Sequence, residues 1–193
     1  MKLVLASSSK YRRMLLKTLK IPFEHHSPEI DETPLAKESA QALAERLAIQ
    51  KAKAVVNTYP SHLIIGSDQT ASINGILLGK PYNKQQATKQ LSLCSGQQVT
   101  FFSGLCLLNS KTGLSQHQCL PFQVDFRHLS PQQISYYIDE EQPLDCVGSF
   151  KCEGLGIALF EKLSGNDPNI LIGLPLIALT SMLRNESIDI LGP

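Results

Sequence analysis

Apolar positions along the chain alternate between short unbroken runs and stripes at helical spacing, and the switches between the two rhythms mark out the elements. Lys2 to Ala6 is a short apolar run that predicts a first strand. It ends in Ser7-Ser8-Ser9, after which Lys10 to Lys20 carries Tyr11, Leu15 and Leu19 at helical spacing. The pattern is a strand, a serine turn and a helix. Serine suits the N-cap because its hydroxyl accepts from the first-turn N–H groups, and those same donors can hold an anion. Phe23 to Ser27 predicts a second short strand, followed by an acidic loop from Pro28 to Ala36. Ser39 to Asn57 is the strongest helix signal. Its apolar stripe of Leu43, Leu47, Ala54 and Val55 leaves Lys51 at the stripe's border. Leu63-Ile64-Ile65 predicts a buried strand that stops at Gly66-Ser67-Asp68-Gln69.

Thr70 to Leu78 reads as a hairpin turned by Asn74-Gly75, a dipeptide that readily takes positive φ. Asn83 to Cys94 fits a capped helix, Val99 to Leu108 and Gln116 to Phe126 two long strands joined through Lys111-Thr112-Gly113, and Ser130 to Asp139 another helix. The tail from Cys146 is Gly-rich and carries no clear period until Leu174 to Arg184, which is helical with Pro175 in its first turn. This order predicts an α/β protein with a mixed rather than purely parallel sheet. With 193 residues and no repeat or linker, the chain makes one domain, residues 1–193, or at most two small lobes sharing a core.

Composition narrows the partners. Eighteen Lys and Arg against 17 Asp and Glu leave a net charge of +1, so no global field is available to hold nucleic acid or an anionic membrane, and an anionic ligand has to be gripped locally. Five cysteines without a CxxC pair argue against a disulfide framework or zinc knot and fit a reducing, cytoplasmic setting. The run Leu3 to Ala6 is too short for a signal peptide, and Ile170 to Leu179 is about half of the roughly 20 residues a membrane span needs.

Four segments place polar residues at strand ends or in loops: Ser7 to Arg13, Glu29 to Glu32, Gly66 to Gln69, and Gly79-Lys80. With Lys51 they supply the cations Arg12, Lys51 and Lys80 and the carboxylates Glu29, Asp31, Glu32 and Asp68, a mixture that suits a polyphosphate with a divalent cation. Each also has a purely structural explanation. Arg12 and Arg13 fit a solvated helix face, Glu29 to Glu32 an exposed turn, Lys51 a snorkelling side chain, and Asp68 a turn cap. Asp68 is the hardest to explain that way, because a carboxylate directly after Leu63-Ile64-Ile65-Gly66 is costly to desolvate without a partner. Walker A, HExxH and GxSxG motifs are absent, and the five histidines lack metal-ligand spacing. Among the cysteines only Cys152, beside Lys151, has a neighbour that favours a thiolate.

Taken in order, Ala6-Ser7-Ser8-Ser9-Lys10-Tyr11-Arg12-Arg13, Glu29-Ile30-Asp31-Glu32-Thr33, Gly66-Ser67-Asp68-Gln69, Gly79-Lys80-Pro81 and Gly173-Leu174-Pro175 resemble the Maf family of nucleoside triphosphate pyrophosphatases, with Lys51 in its expected Lys-Ala context. The resemblance implies a mixed sheet flanked by helices, an inosine triphosphatase-like architecture with a cleft between two lobes, usually a homodimer. It also implies Mg2+- or Mn2+-dependent cleavage of a nucleotide to monophosphate and pyrophosphate. On this reading Asp68 readies the attacking water, Glu32 with Asp68 binds the metal, and Arg12, Lys51 and Lys80, helped by Ser7, neutralise phosphate.

The resemblance also implies that base selection falls to Tyr11, Gln69 and Lys151, where the branch acting on dTTP and UTP carries Arg, Thr and Gln. The set here is similar to the branch acting on 7-methyl-GTP, supported by Gly148 to Gly154 and by Gly165-Asn166-Asp167-Pro168-Asn169. That branch implies tryptophan at position 11. Tyr11 keeps an aromatic face for a cationic methylated purine, a contact of ~0.5 to 2 kcal/mol, with less area than an indole. Two other readings stay open: the same hydrolysis on dTTP, UTP or other nucleotides, and a nucleotide-binding regulator of cell division that does not turn over.

Overall fold

The computed structural model describes residues 1–192. Its elements follow in the order β1 (Lys2–Ala6), α1 (Lys10–Lys17), β2 (Phe23–His26), α2 (Ala40–Ala54), β3 (His62–Ile73), β4 (Ile76–Leu78), α3 (Lys84–Cys94), β5 (Gln98–Asn109), β6 (Ser115–Phe126), α4 (Pro131–Glu141), β7 (Phe160–Ser164) and α5 (Leu176–Asn185). The strands pair in the order β2-β1-β3-β5-β6-β7, with β4 on β3. Strand β1 is parallel to both β2 and β3, while β4 and β7 pair antiparallel with β3 and β6, so the sheet is mixed as the sequence predicts. The chain divides into two compact units. The first comprises residues 1–69, 103–120 and 167 onward, and the second 70–102 and 121–166. Among the described residues no helix is long and apolar enough to cross a membrane.

In the first unit the two-residue period of the strands sends side chains to two cores. Leu3, Leu5, Leu63, Ile65, Leu105 and Leu107 pack with Leu15 and Leu16 of α1 and Leu179 and Leu183 of α5. Each of the fully buried leucines contributes about 1.5–3 kcal/mol. On the opposite face Ala6, Ile64, Cys106 and Leu108 meet Ala48 and Ala52 of α2. Small residues are required there because helix and sheet nearly touch. A Cβ on Gly66 would lie 2.1 Å from the Ala48 carbonyl oxygen, and one on Gly104 2.1 Å from that of Ala44. Gly66 and Asp68 share this face of β3, and Lys51 lies three residues beyond Ala48 on α2, so close helix–sheet contact carries a lysine to an aspartate.

The second unit holds an aromatic cluster in which Phe150 meets the rings of Phe101 and Phe160 edge to face at centroid distances of 5.1 and 4.8 Å. The hairpin turns at Asn74 and Gly75 with φ of 49° and 80°, as the Asn-Gly dipeptide predicts. Helix α3 is capped by Asn83, and α4 by a Ser130–Gln133 capping box.

Several boundaries depart from the sequence reading. Helix α1 ends at Lys17 rather than Lys20: the Thr18 hydroxyl bonds the Leu15 carbonyl at 2.7 Å and Lys20 turns to a φ of 55°. Strand β3 does not stop at Gly66 but continues to Ile73, because the polar side chains that looked like a break find partners inside the fold. Pro175 lies outside α5 as its N-cap instead of in its first turn. A proline has no side-chain acceptor, and the buried Asp167 carboxylate supplies one by accepting from the Ile177 N–H at 2.9 Å. The tail without clear period forms three 3-10 turns, Val147–Ser149, Leu155–Leu159 and Pro168–Ile172, and the unforeseen strand β7.

Candidate active site

Chemistry-bearing residues of the first unit converge where β1, α1, α2 and β3 come together. Ser9 caps α1 by accepting from the Arg12 N–H at 3.3 Å, and the buried Ser7 hydroxyl accepts from the Ser9 N–H at 3.1 Å. That turn aims the Arg12 guanidinium inward, where Nε donates to the Gly173 carbonyl at 2.8 Å. Gly173 has a φ of 99°, which favours glycine, and a Cβ there would crowd Arg12 Nε at 3.2 Å. Burial lowers the Arg12 pKa while the charges of Asp68 and then Glu32 oppose the drop. Both carboxylates are thus within electrostatic reach of the guanidinium, which stays protonated at any ordinary pH.

The Ser67 hydroxyl lies 2.7 Å from the same Gly173 carbonyl and 2.8 Å from that of Gly104, its single proton serving one at a time. Gln69 Nε2 donates to the Ile170 carbonyl at 2.6 Å, and Ser103 Oγ donates to that oxygen at 2.8 Å. Four side chains therefore tie residues 170–173 to the strands and to α1.

Beside them Lys51 Nζ lies 2.5 Å from Asp68 Oδ1 and 2.7 Å from Glu32 Oε1. Lys51 is 6% exposed and Asp68 7%, so neither a snorkelling lysine nor a surface turn cap describes them. Removing charges from water costs several kcal/mol per ion, and only close pairing offsets it. Glu32 completes the triplet from the loop before α2, with its side chain 54% exposed. Two hard carboxylate oxygens meet on one nitrogen, a donor set of the kind a divalent cation takes. Mg2+ or Mn2+ commonly takes one or two carboxylates and fills its remaining positions with water and substrate phosphate. Among the described residues no three or more His, Cys, Asp or Glu side chains form a metal cage. The two-carboxylate seat fits an ion shared with a phosphate ligand.

The acidic loop is held from both sides of Glu32. Asp31 Oδ1 accepts from the Thr33 N–H at 2.9 Å, and hydrogen bonding from the Thr33 side chain first and this N–H second lowers the Asp31 pKa. Arg46 of α2 donates through NH2 to the Thr33 carbonyl at 3.1 Å and grips Glu38 with a fork at 2.6 and 2.8 Å. Glu38 also accepts from the Leu35 N–H at 2.9 Å. The Arg46 fork holds the Glu38 carboxyl down to about 2. Sequence reading passed over Arg46, Glu38 and Ser103 and gave Ser67 no role of its own within its motif; eight-residue spacing across a loop–helix junction is no local motif.

Of the remaining predicted residues, Tyr11 is half-buried on α1, with Lys10 Nζ 4.9 Å from its ring centroid. Lys80 and Lys151 belong to the second unit. Lys80 is exposed after β4, next to a Gly79 carbonyl that accepts from Gln90 Nε2 at 3.1 Å. Lys151 donates from Nζ to the Glu141 carbonyl at the end of α4, and its backbone N–H donates to the Tyr137 hydroxyl at 2.9 Å. Cys152 is not a primed thiolate: burial and the neighbouring Glu153 push its thiol up to about 12.

The fold is the one seen in "The structure of the Staphylococcus aureus Ham1 protein", which superposes with a TM-score of 0.56 over 96% of this chain and 100% of that one at 13% identity. The family follows from sequence: the model "Maf-like protein" matches residues 2–186, and the chain belongs to the Maf family. A relative from Alcanivorax borkumensis named 7-methyl-GTP pyrophosphatase is 55% identical over 188 residues, covering 97% of this chain and 95% of that protein. A Pseudomonas aeruginosa protein of the same name is 52% identical over 188 residues, covering 97% and 98%.

Proposed function

We propose that this chain hydrolyses 7-methyl-GTP to the monophosphate and pyrophosphate, with a divalent cation seated on Glu32 and Asp68. The observation that carries the reading is the buried Lys51 held between those two carboxylates, with Arg12 in electrostatic reach of both. Holding a nucleotide requires cations; it does not require a buried carboxylate. The high identity to two proteins named for this substrate supports the choice of base.

In the reaction a water oxygen attacks the α-phosphorus and the bond to the α–β bridging oxygen breaks. Asp68 orients that water and accepts its proton, and pyrophosphate departs with the bridging oxygen. Glu32 and Asp68 would hold the divalent cation, which when bound would supply charge neutralisation on phosphate oxygens and lower the pKa of water. Arg12 meets charge growing on the phosphates, held at the required angle by the Gly173 carbonyl. Lys51 keeps Asp68 and Glu32 facing one point, and its ammonium adds a positive charge for phosphate oxygens. Five free cysteines, with Cys94 and Cys106 buried, support a cytoplasmic setting.

The test is a steady-state panel of 7-methyl-GTP, GTP, dTTP and UTP with Mg2+ or Mn2+. The reading expects pyrophosphate from each active substrate and a kcat/KM for 7-methyl-GTP at least about tenfold above GTP, on the order of one well-placed cation–π contact. Flat selectivity would remove the substrate assignment. Binding without any pyrophosphate release would remove the activity.

A further inference from the structure

Glu32 is the exposed member of the triplet and stands on a loop without helix or strand, where a carboxylate normally wanders. Its neighbour on the C-terminal side does not wander. The Thr33 N–H is held by Asp31 and the Thr33 carbonyl by Arg46. Arg46 is itself fixed. Nε and NH2 form the two-pronged bond to Glu38, and NH1 donates to Gln50 Oε1 at 3.0 Å, one turn further along α2. The same rigid helix carries Lys51, the residue Glu32 meets. One guanidinium thus ties the loop backbone next to Glu32 to the helix that bears Lys51.

We propose that Arg46, braced by Glu38, is a positioning residue for the metal and phosphate chemistry: it holds Glu32 at the cation seat without touching substrate. The assignment rests on the proposed hydrolysis and deepens it. Lysine at position 46 keeps the charge but lacks the planar fork that engages two oxygens of Glu38 and the Thr33 carbonyl at once.

The experiment compares wild type with Arg46→Lys, Arg46→Gln and Glu38→Gln, each also placed in a Glu32→Gln background. Three readouts are taken: Mg2+ dependence of turnover, Mn2+ binding to the nucleotide-free protein by electron paramagnetic resonance, and hydrogen exchange of residues 28–38. The expected result is that Arg46→Gln raises the half-saturating Mg2+ and the Mn2+ dissociation constant by about 10-fold or more, in the range seen when groups that orient a metal ligand are removed. Saturating metal restores kcat to within about threefold, and Arg46→Lys falls between. In the Glu32→Gln background the same change has an effect below about twofold, because the residue it positions is gone.

Unchanged metal dependence in Arg46→Gln, or an equal loss with and without Glu32, overturns the proposal while leaving the hydrolysis standing. Wild-type protein that neither turns over nucleotide nor binds Mn2+ overturns both. Should Arg46→Gln fail to fold, Arg46→Lys and Glu38→Gln carry the same cycle, and faster exchange confined to residues 28–38 is expected in each.

Discussion

Lys51 Nζ lies 2.5 Å from Asp68 Oδ1, joining a helix to the middle of a strand where both side chains are almost wholly removed from solvent. Gly66 lets α2 approach the sheet closely, since a Cβ there would lie 2.1 Å from the Ala48 carbonyl oxygen. Breaking one half of such a pair is costly. Lys51→Met should lower stability by about 3–5 kcal/mol in the absence of divalent cation, because it strands a buried carboxylate. Chemical denaturation with and without Mg2+ measures this, and an unchanged midpoint would mean that Asp68 has another partner.

Asp68→Asn keeps the shape and removes the proton acceptor. At saturating Mg2+, turnover of 7-methyl-GTP should fall by about 100- to 10,000-fold, as expected for loss of a general base. A variant within a few fold of wild type would show that another group activates the water.

Gly66→Ala adds a methyl group that would meet the Ala48 carbonyl oxygen at 2.1 Å and the Ala52 backbone nitrogen at 2.8 Å. Backbone atoms cannot rotate aside, so the helix has to move away from the strand. A loss of at least about 1–3 kcal/mol is expected, with activity reduced more than stability because Lys51 moves with the helix. Thermal unfolding and kcat/KM together check this.

Acid should loosen the loop before the core. The Glu38 carboxyl is held at about 2 by Arg46, below its ordinary 4.5. A depressed folded-state value means that the stabilisation is complete above pH 4.5 and is lost as pH falls toward 2. Glu38→Gln should therefore differ most from wild type above pH 4.5 and converge with it near pH 2, followed by unfolding across pH. Parallel curves over the whole range would contradict the fork.

Thiol chemistry should be irrelevant to turnover. Burial pushes Cys94 and Cys119 up to about 12 and Cys106 to about 11, while Cys152 is likewise near 12. Iodoacetamide at neutral pH and a Cys152→Ser variant are both expected to leave kcat/KM within about twofold, since an unactivated thiol supplies no nucleophile. Inactivation in step with Cys152 alkylation would reopen a cysteine mechanism.

How much of this was legible beforehand varied with the range of the interaction. Strand β1, the capped α1, the Asn-Gly hairpin and helix α2 follow from local spacing, turn chemistry and caps, which act over a few residues. The Ser7, Arg12, Glu32, Lys51 and Asp68 set was legible as residue types and motifs, and the structure gathers it in one unit. The continuation of β3 through Ser67-Asp68-Gln69 was hidden, because polar residues read as a break until the carbonyls of Gly173 and Ile170 are brought alongside by residues a hundred positions away. Separations of 10 residues from Asp167 to Ile177 and 13 from Thr33 to Arg46 are shorter but still outside any local motif, and they hid the cap of α5 and the tie on the acidic loop.

Where the water oxygen ends up distinguishes this chemistry from every neighbouring hydrolysis. Turnover of 7-methyl-GTP in 18O-labelled water, read by mass spectrometry of the products, should place one label in the nucleoside monophosphate and none in pyrophosphate. Label in pyrophosphate would show attack at the β-phosphorus, and label in inorganic phosphate attack at the γ-phosphorus; either would contradict a water prepared by Asp68 for the α-phosphorus.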